Sequence, residues 1–200
     1  MKIVRDGYYI RPIEKKDKYL LKKWGVFEDP IFEGYNYAKL TDSELNFWYT
    51  SKQFPFRSSY FAIMADEDKM IGYLGIKEIN RFIKSAKLGI VIDPNYVSKG
   101  YGTRAMKDFL AYYFNELKMK RMILEVNDWN TRARRLYESL GFKYAGDNLQ
   151  KFENQALDID QKRYDSIRDS FEEIGETLYT KVWRMTMTRK EYQEKNEDQT

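Results

Sequence analysis

Apolar positions along the chain change period several times, and each change marks a predicted element. Residues 8–12 alternate, with Tyr8 and Ile10 on one face, and predict a short strand. Residues 13–24 carry Tyr19, Leu20, Leu21 and Trp24 at helical spacing. From 25 to 40, Gly, Pro and Asn lie among Phe27, Phe32, Tyr35 and Tyr37, which predicts a loop with one short helical turn. Thr41-Asp42-Ser43-Glu44 reads as a helix start, an N-cap followed by acidic residues in the first turn. That helix carries Leu45, Phe47, Trp48 and Tyr49 and is expected to end near Pro55.

Residues 60–65 and 70–79 are apolar runs joined by the polar turn Asp66-Glu67-Asp68-Lys69, a hairpin signal. Residues 87–92 form another strand, stopped by Asp93-Pro94-Asn95. A glycine-bearing turn follows, and then a helix to about Lys118 with Met106, Phe109, Leu110, Tyr113, Phe114 and Leu117 at a spacing of three to four. Residues 121–126 are a strand, 131–140 a short helix closed by Gly141, and 142–145 the start of another strand. Leu157, Tyr164, Ile167, Phe171, Ile174 and Leu178 fall on one helical stripe, so the segment 157–178 predicts an inserted helix over about 160–175. Residues 179–188 alternate as a strand, and the charged tail 189–200 is expected to fray.

This order predicts an α/β (α+β) fold with a mixed, mostly antiparallel central sheet and flanking helices. The hairpin signals require antiparallel pairs, and the strand–helix–strand unit 87–126 requires a parallel one. No repeat, low-complexity tract or linker interrupts residues 1–188, which are expected to form one domain.

Composition narrows the chemistry by two zeros. With no cysteine there is no disulfide, thiolate nucleophile or Cys-based zinc site. With no histidine there is no imidazole base and no His-ligated metal, so no metal is expected. Acid–base work falls to Asp, Glu, Lys, Tyr or water. The net charge of +4 is spread along the chain without a basic block, so no nucleic-acid partner is expected. No apolar stretch approaches the length of a membrane span, and residues 1–6 lack a signal-peptide core; no membrane association and a cytoplasmic location are expected.

The most informative segment is Ile92-Asp93-Pro94-Asn95-Tyr96-Val97-Ser98-Lys99-Gly100-Tyr101-Gly102-Thr103. Two glycines permit a tight turn and keep side chains away from the amides. The N–H groups of Ser98, Lys99, Gly100, Tyr101, Gly102 and Thr103 then converge at a helix N-terminus, which favours phosphate. Lys99 and Arg104 add positive charge. A dinucleotide fingerprint does not fit, because position 105 is Ala where a third glycine would stand. On the next strand Glu125 is an acid among apolar residues, five positions before Asn130; burial there would raise its pKa and make it a general base. Tyr137, on the short helix over 131–140, is a phenol with a pKa near 10 and so a proton-bearing group at neutral pH. Both residues also admit plain structural roles, Glu125 facing solvent and Tyr137 packing in a core.

The loop motif pairs with Leu124-Glu125-Val126-Asn127 and, 30 residues after Gly100, with Asn130-x-x-Ala133-x-x-Leu136-Tyr137-Glu138-x-Leu140-Gly141-Phe142. Together, and in this order, they resemble the GNAT superfamily of N-acetyltransferases from about residue 8 to 146. The final strand near Trp183-Arg184-Met185 also fits. The resemblance implies that the main chain at Ile90, Val91 and Ile92 pairs with the pantetheine arm of acetyl-CoA. It implies that the amides from Ser98 to Thr103 hold the pyrophosphate, that Asn130 faces the cofactor arm, and that Tyr137 sits by the thioester sulfur. An N–H near Val91 would polarise the thioester carbonyl. One position departs from the family pattern: Val97 stands where many members carry Gln or Arg, so its side chain adds no donor to the phosphate site.

The expected function is therefore direct transfer of acetyl from acetyl-CoA, the co-substrate, to a primary amine on a protein N-terminus, a polyamine or another small amine. The alternative is a non-catalytic acyl-CoA-binding sensor on the same fold. The apolar stripe over 157–178 requires burial. It is expected to dock on its own domain and narrow the acceptor site, or on a second copy to form a homodimer.

Overall fold

In the computed structural model, residues 2–53 and 56–197 are described. The first residue, Phe54 and Pro55 (where the second helix is expected to end) and the last three residues of the tail lie outside the described residues. The backbone divides into two compact units, one up to Lys120 and one from Arg121.

The first unit orders five strands as β1 (Ile3–Arg5), β2 (Tyr8–Pro12), β3 (Ser58–Asp66), β4 (Lys69–Asn80) and β5 (Ser85–Ile92), each antiparallel to its neighbour. β1 escapes the sequence reading, although the Asp6-Gly7 turn that pairs Arg5 with Tyr8 is a hairpin signal; Gly7 supplies the positive φ of 78°. Both faces of the sheet are covered, so Phe61-Ala62-Ile63-Met64 is a continuous apolar run with every member buried. Phe61 and Ile63 face α3 (Tyr101–Ala111), where the Phe61 and Phe109 rings lie 5.5 Å apart. Ala62 and Met64 face the layer of α1 (Asp17–Leu20) and α2 (Asp42–Thr50), in a cluster with Leu21, Trp24, Leu45, Trp48 and Tyr73. α2 starts as expected: Thr41 and Glu44 form a reciprocal capping box. α3 runs on through a wider π turn, Tyr112–Glu116, that buries Tyr113 and Phe114.

Asp17 anchors α1. It is wholly buried, takes two 2.7 Å hydrogen bonds from the Arg11 guanidinium and a third from the Glu14 N–H. A buried carboxylate is tolerated here because a fork-shaped cation and an amide meet its oxygens.

The second unit is built around a long strand, β9 (Thr177–Thr188). β7 (Lys143–Lys151) pairs along one edge; β6 (Arg121–Asn127) and β8 (Phe171–Ile174) follow one another along the other, all antiparallel. α4 (Thr131–Leu140) has the predicted bounds, and Gly141 closes it at φ 100°.

Two expectations fail in this unit. The helix over 157–178 is absent. Lys162–Tyr164 and Arg168–Ser170 are single 3₁₀ turns, and β8 then turns through Gly175-Glu176 into β9. Leu157, Tyr164 and Leu178 are buried, yet each comes from a different element, while Ile174 is exposed. A spacing of seven fits a helix and also fits side chains that separate elements send into one core. The loop is held instead by Gln155, whose amide accepts from Leu178 N–H and donates to Leu178 C=O, both at 3.0 Å, as a strand neighbour would. The tail does not fray through its described part: α5 (Arg189–Glu197) starts with a second capping box, Thr188 with Glu191. The expected role of the inserted helix loses its basis with the helix.

Candidate active site

In the first unit, the turn after β5 is fixed by Asp93, which is buried and accepts from the N–H groups of Asn95 and Gly25, both at 2.9 Å. These bonds pin Pro94–Tyr96 as a 3₁₀ turn and aim the chain into α3. Ser98 and Gly100 both take left-handed backbone, at φ 64° and 81°. Gly100 is the N-cap and has no side chain to cap the helix, so the N–H groups of Tyr101, Gly102 and Thr103 keep no intrahelical acceptor. The left-handed turns and the helix end gather amides into a concave, electropositive nest.

The two glycines have different jobs. A side chain at Gly100 would meet nothing within 4 Å, so the backbone, not space, demands glycine there. At Gly102 an added Cβ would lie 3.4 Å from Ile92 Cγ1, so this glycine seats α3 against β5. Positive side chains flank the nest. Arg104 lies over the Tyr8 and Tyr101 rings at 5.2 and 4.7 Å, and Lys99 over Tyr96 at 5.1 Å. Amides, helix end and flanking cations all favour an anion here, and the apolar Val97 side chain adds no donor to them.

β5 offers a main chain as well as a floor. Asp93 N–H donates to Ile71 C=O at 3.0 Å, so the peptide groups of Val91, two residues back, also point to β4. Ile90 and Ile92 turn theirs to the opposite edge. The outward-facing N–H groups near Val91 are therefore those of Ile90 and Ile92, not that of Val91 itself. Side chains alternate too: Ile92 lies under Gly102, while Val91 packs on the aromatic cluster of the α1–α2 face.

The second unit holds Glu125, Asn130 and Tyr137. Asn130 caps α4, its Oδ1 accepting from Ala133 N–H at 3.1 Å, which leaves the side-chain NH₂ as a donor. Tyr137 is two turns further along α4, near the face that Asn130 begins; its ring packs on Phe142, and desolvation pushes its pKa up to about 12. Glu125 does not match the premise attached to it. Met122, Leu124 and Val126 take the buried side of β6, so alternation turns Glu125 outward, opposite Arg184 and within 3.5 Å of Gln150 Nε2. It is exposed, so the buried base expected at this position is not there. A network missed in sequence stiffens the β6–α4 turn: Arg134 donates to Asp128 at 2.6 Å and lies over Trp183 at 4.2 Å, and Ser170 donates to Asp128 at 2.7 Å.

A strand, a left-handed glycine turn and a helix N-terminus on an α/β scaffold form a corner whose unpaired amides attract anions. The chain belongs to the GNAT acetyltransferases: the family model described as "Acetyltransferase (GNAT) domain" matches residues 8–143. Spermidine N(1)-acetyltransferase of Escherichia coli strain K12 is 34% identical over 92 residues, which are 46% of this chain and 49% of that protein. The Vibrio cholerae enzyme of the same name is 30% identical over 92 residues, 46% of this chain and 53% of that protein. The match thus spans about half the length of these curated relatives. In three dimensions, the Vibrio cholerae spermidine N-acetyltransferase solved with CoA and spermine superposes with a TM-score of 0.69. It covers 94% of this chain and 99% of that one at 22% identity, which establishes the fold. No helix among the described residues is long and apolar enough to cross a membrane.

Proposed function

We propose that this chain is an N-acetyltransferase that moves the acetyl group of acetyl-CoA directly to a primary amine, with polyamines such as spermidine as the acceptor class. The observation that carries the reading is the glycine-capped amide nest at residues 98–103, on a chain of a family that uses acetyl-CoA. Its amides hold the pyrophosphate, and the outward main chain of Ile90 and Ile92 pairs with the amide-bearing arm and polarises the thioester carbonyl. Asn130 donates to the arm through its free amide.

The acceptor arrives as an ammonium and must lose a proton before its nitrogen can attack. Exposed Glu125 serves that step through water, not as a buried base. Attack forms a C–N bond, the tetrahedral centre collapses, and the C–S bond breaks to release CoA thiolate. Tyr137, with a pKa of about 12, stays protonated throughout the working pH range. Full transfer to a thiol of pKa about 8.5 is uphill by about 3.5 units, so the hydroxyl acts mainly as a hydrogen-bond donor to the forming thiolate.

A panel of amines incubated with acetyl-CoA, read by thiol release and by product mass, tests the proposal. Saturable acetylation of a primary amine supports it. Tight acetyl-CoA binding with no amine-dependent thiol release overturns it and leaves a non-catalytic acyl-CoA sensor.

A further inference from the structure

The α1–α2 face of the first unit contains a box built for a cation, and a lysine of the chain itself fills it. Lys52 lies just past α2, half-buried. Its ammonium sits 4.4 Å from the Trp48 ring centre and 5.3 Å from those of Tyr60 and Tyr73, and it donates to Trp48 C=O at 3.3 Å. Three ring faces and one carbonyl are a strong site for an amine. The box is rigid: Trp48 and Tyr73 meet edge-on at 5.3 Å, and the Tyr37 and Tyr73 hydroxyls are hydrogen-bonded at 2.7 Å.

The box adjoins the strand given to the acyl arm. Tyr73 on β4 is the direct cross-strand partner of Val91 on β5, and paired residues share a face. Two residues along the same face, Gly75 pairs with Gly89. The Tyr60 ring fills the space beside Gly75, where an added Cβ would lie 2.1 Å from it, whereas nothing stands within 4 Å of the Cβ position of Gly89. An open notch at Gly89 on β5 therefore lies on the same sheet face as the box, beside Gly75 and the Tyr60 ring that also lines the box.

We propose that Lys52 is a self-acetylation site, its side-chain amine accepting the acetyl group of acetyl-CoA bound along β5; this rests on the acetyl-CoA reading above. Burial and nearby Lys77 lower the Lys52 pKa to about 8, so about one amine in ten is neutral at pH 7, roughly two orders of magnitude more than for an ordinary lysine. In the step, the neutral amine attacks the thioester carbon, a C–N bond forms and the C–S bond breaks. The proton lost by the amine goes to the CoA thiolate. The product is an uncharged amide, which the ring faces no longer hold as a cation, so the box opens toward external amines.

Peptide mapping of the purified full chain, incubated with acetyl-CoA and no acceptor, reads the modification directly. Lys52 is expected to be acetylated at least tenfold faster than any other lysine. The rate should saturate with acetyl-CoA, be independent of protein concentration and be slowed by desulfo-CoA. Gly89→Val, a substitution that suits a strand and fills the notch, should slow it at least tenfold. An unmodified Lys52, or a rate linear in acetyl-CoA and indifferent to desulfo-CoA, overturns the proposal. A parallel reaction with spermidine separates the two claims: acetylated spermidine beside unmodified Lys52 removes self-acetylation alone, and absence of both products removes both.

Discussion

Gly100 and Gly102 offer a test in which similar substitutions should have opposite results. Gly100 holds φ 81° with open space around its Cβ position, so Gly100→Ala introduces no clash. Its penalty is the intrinsic cost of a left-handed alanine, about 1–2 kcal/mol. For a chain of 200 residues that is a fall in Tm of roughly 2–8 °C, at 2–4 °C per kcal/mol. The strained peptide relieves itself by rotating, which swings its N–H out of the nest, so acetyl-CoA affinity should fall at least about tenfold, or 1.4 kcal/mol. Gly102 is inside α3, and its Cβ would point at Ile92 from 3.4 Å, away from the ligand side. Gly102→Ala gains about 0.5–1 kcal/mol of helix propensity against that tight contact, so stability and affinity should stay close to wild type. Titration calorimetry with acetyl-CoA, beside thermal melts, reads both quantities. Wild-type affinity in folded Gly100→Ala, or a larger loss in Gly102→Ala, refutes the assignment of the nest.

Three further outcomes follow from the geometry. Arg11→Leu leaves the Asp17 carboxylate buried and short of its cation, so stability should fall by about 3–5 kcal/mol; adding Asp17→Asn should restore part of it, as measured by urea unfolding. Desolvation raises the pKa of Tyr137 to about 12 and pushes Tyr73 and Tyr113 up as well. Below pH 10 these phenols are protonated in both states; above it the unfolded chain loses protons the folded chain keeps, so Tm should drop steadily from pH 10 to 12, and a flat profile contradicts the burial. Glu191 is held near pKa 2, first by Lys143 and then by the N–H of Thr188, so its support for α5 is present above pH 4.5 and lost as pH falls toward 2. With Lys143 largely exposed, the loss should be about 1 kcal/mol, and Glu191→Gln should remove that acid dependence in far-ultraviolet melts.

Much of the local geometry around the candidate site could be read in the sequence because its signals are local. The glycine turn lies between a strand and a helix that are adjacent in the chain, and α4 carries its own cap at Asn130 and its own stop at Gly141. Reading failed where the decisive information was the direction or origin of a side chain. Glu125 looked buried by composition, yet the alternation of Leu124, Glu125 and Val126 already turned it outward. The stripe from Leu157 to Leu178 imitated a helix because a turn, a loop and two strands contribute to one core; Gly175-Glu176 between Phe171–Ile174 and Thr177–Thr188 was the local hairpin signal against it. The box around Lys52 had no sequence signature, because Trp48, Tyr60 and Tyr73 come from a helix and two strands and read singly as core aromatics.

The central claim is direct acetyl transfer with Tyr137 assisting the leaving thiolate, and a single-turnover experiment tests it most directly. Enzyme is loaded with acetyl-CoA and mixed rapidly with spermidine, and the acetylated product is quantified by mass spectrometry for wild type and Tyr137→Phe. The account predicts acetylated spermidine with wild type and a rate lower by about 10²–10³ with Tyr137→Phe, at similar acetyl-CoA affinity. Equal rates for the two proteins would contradict it.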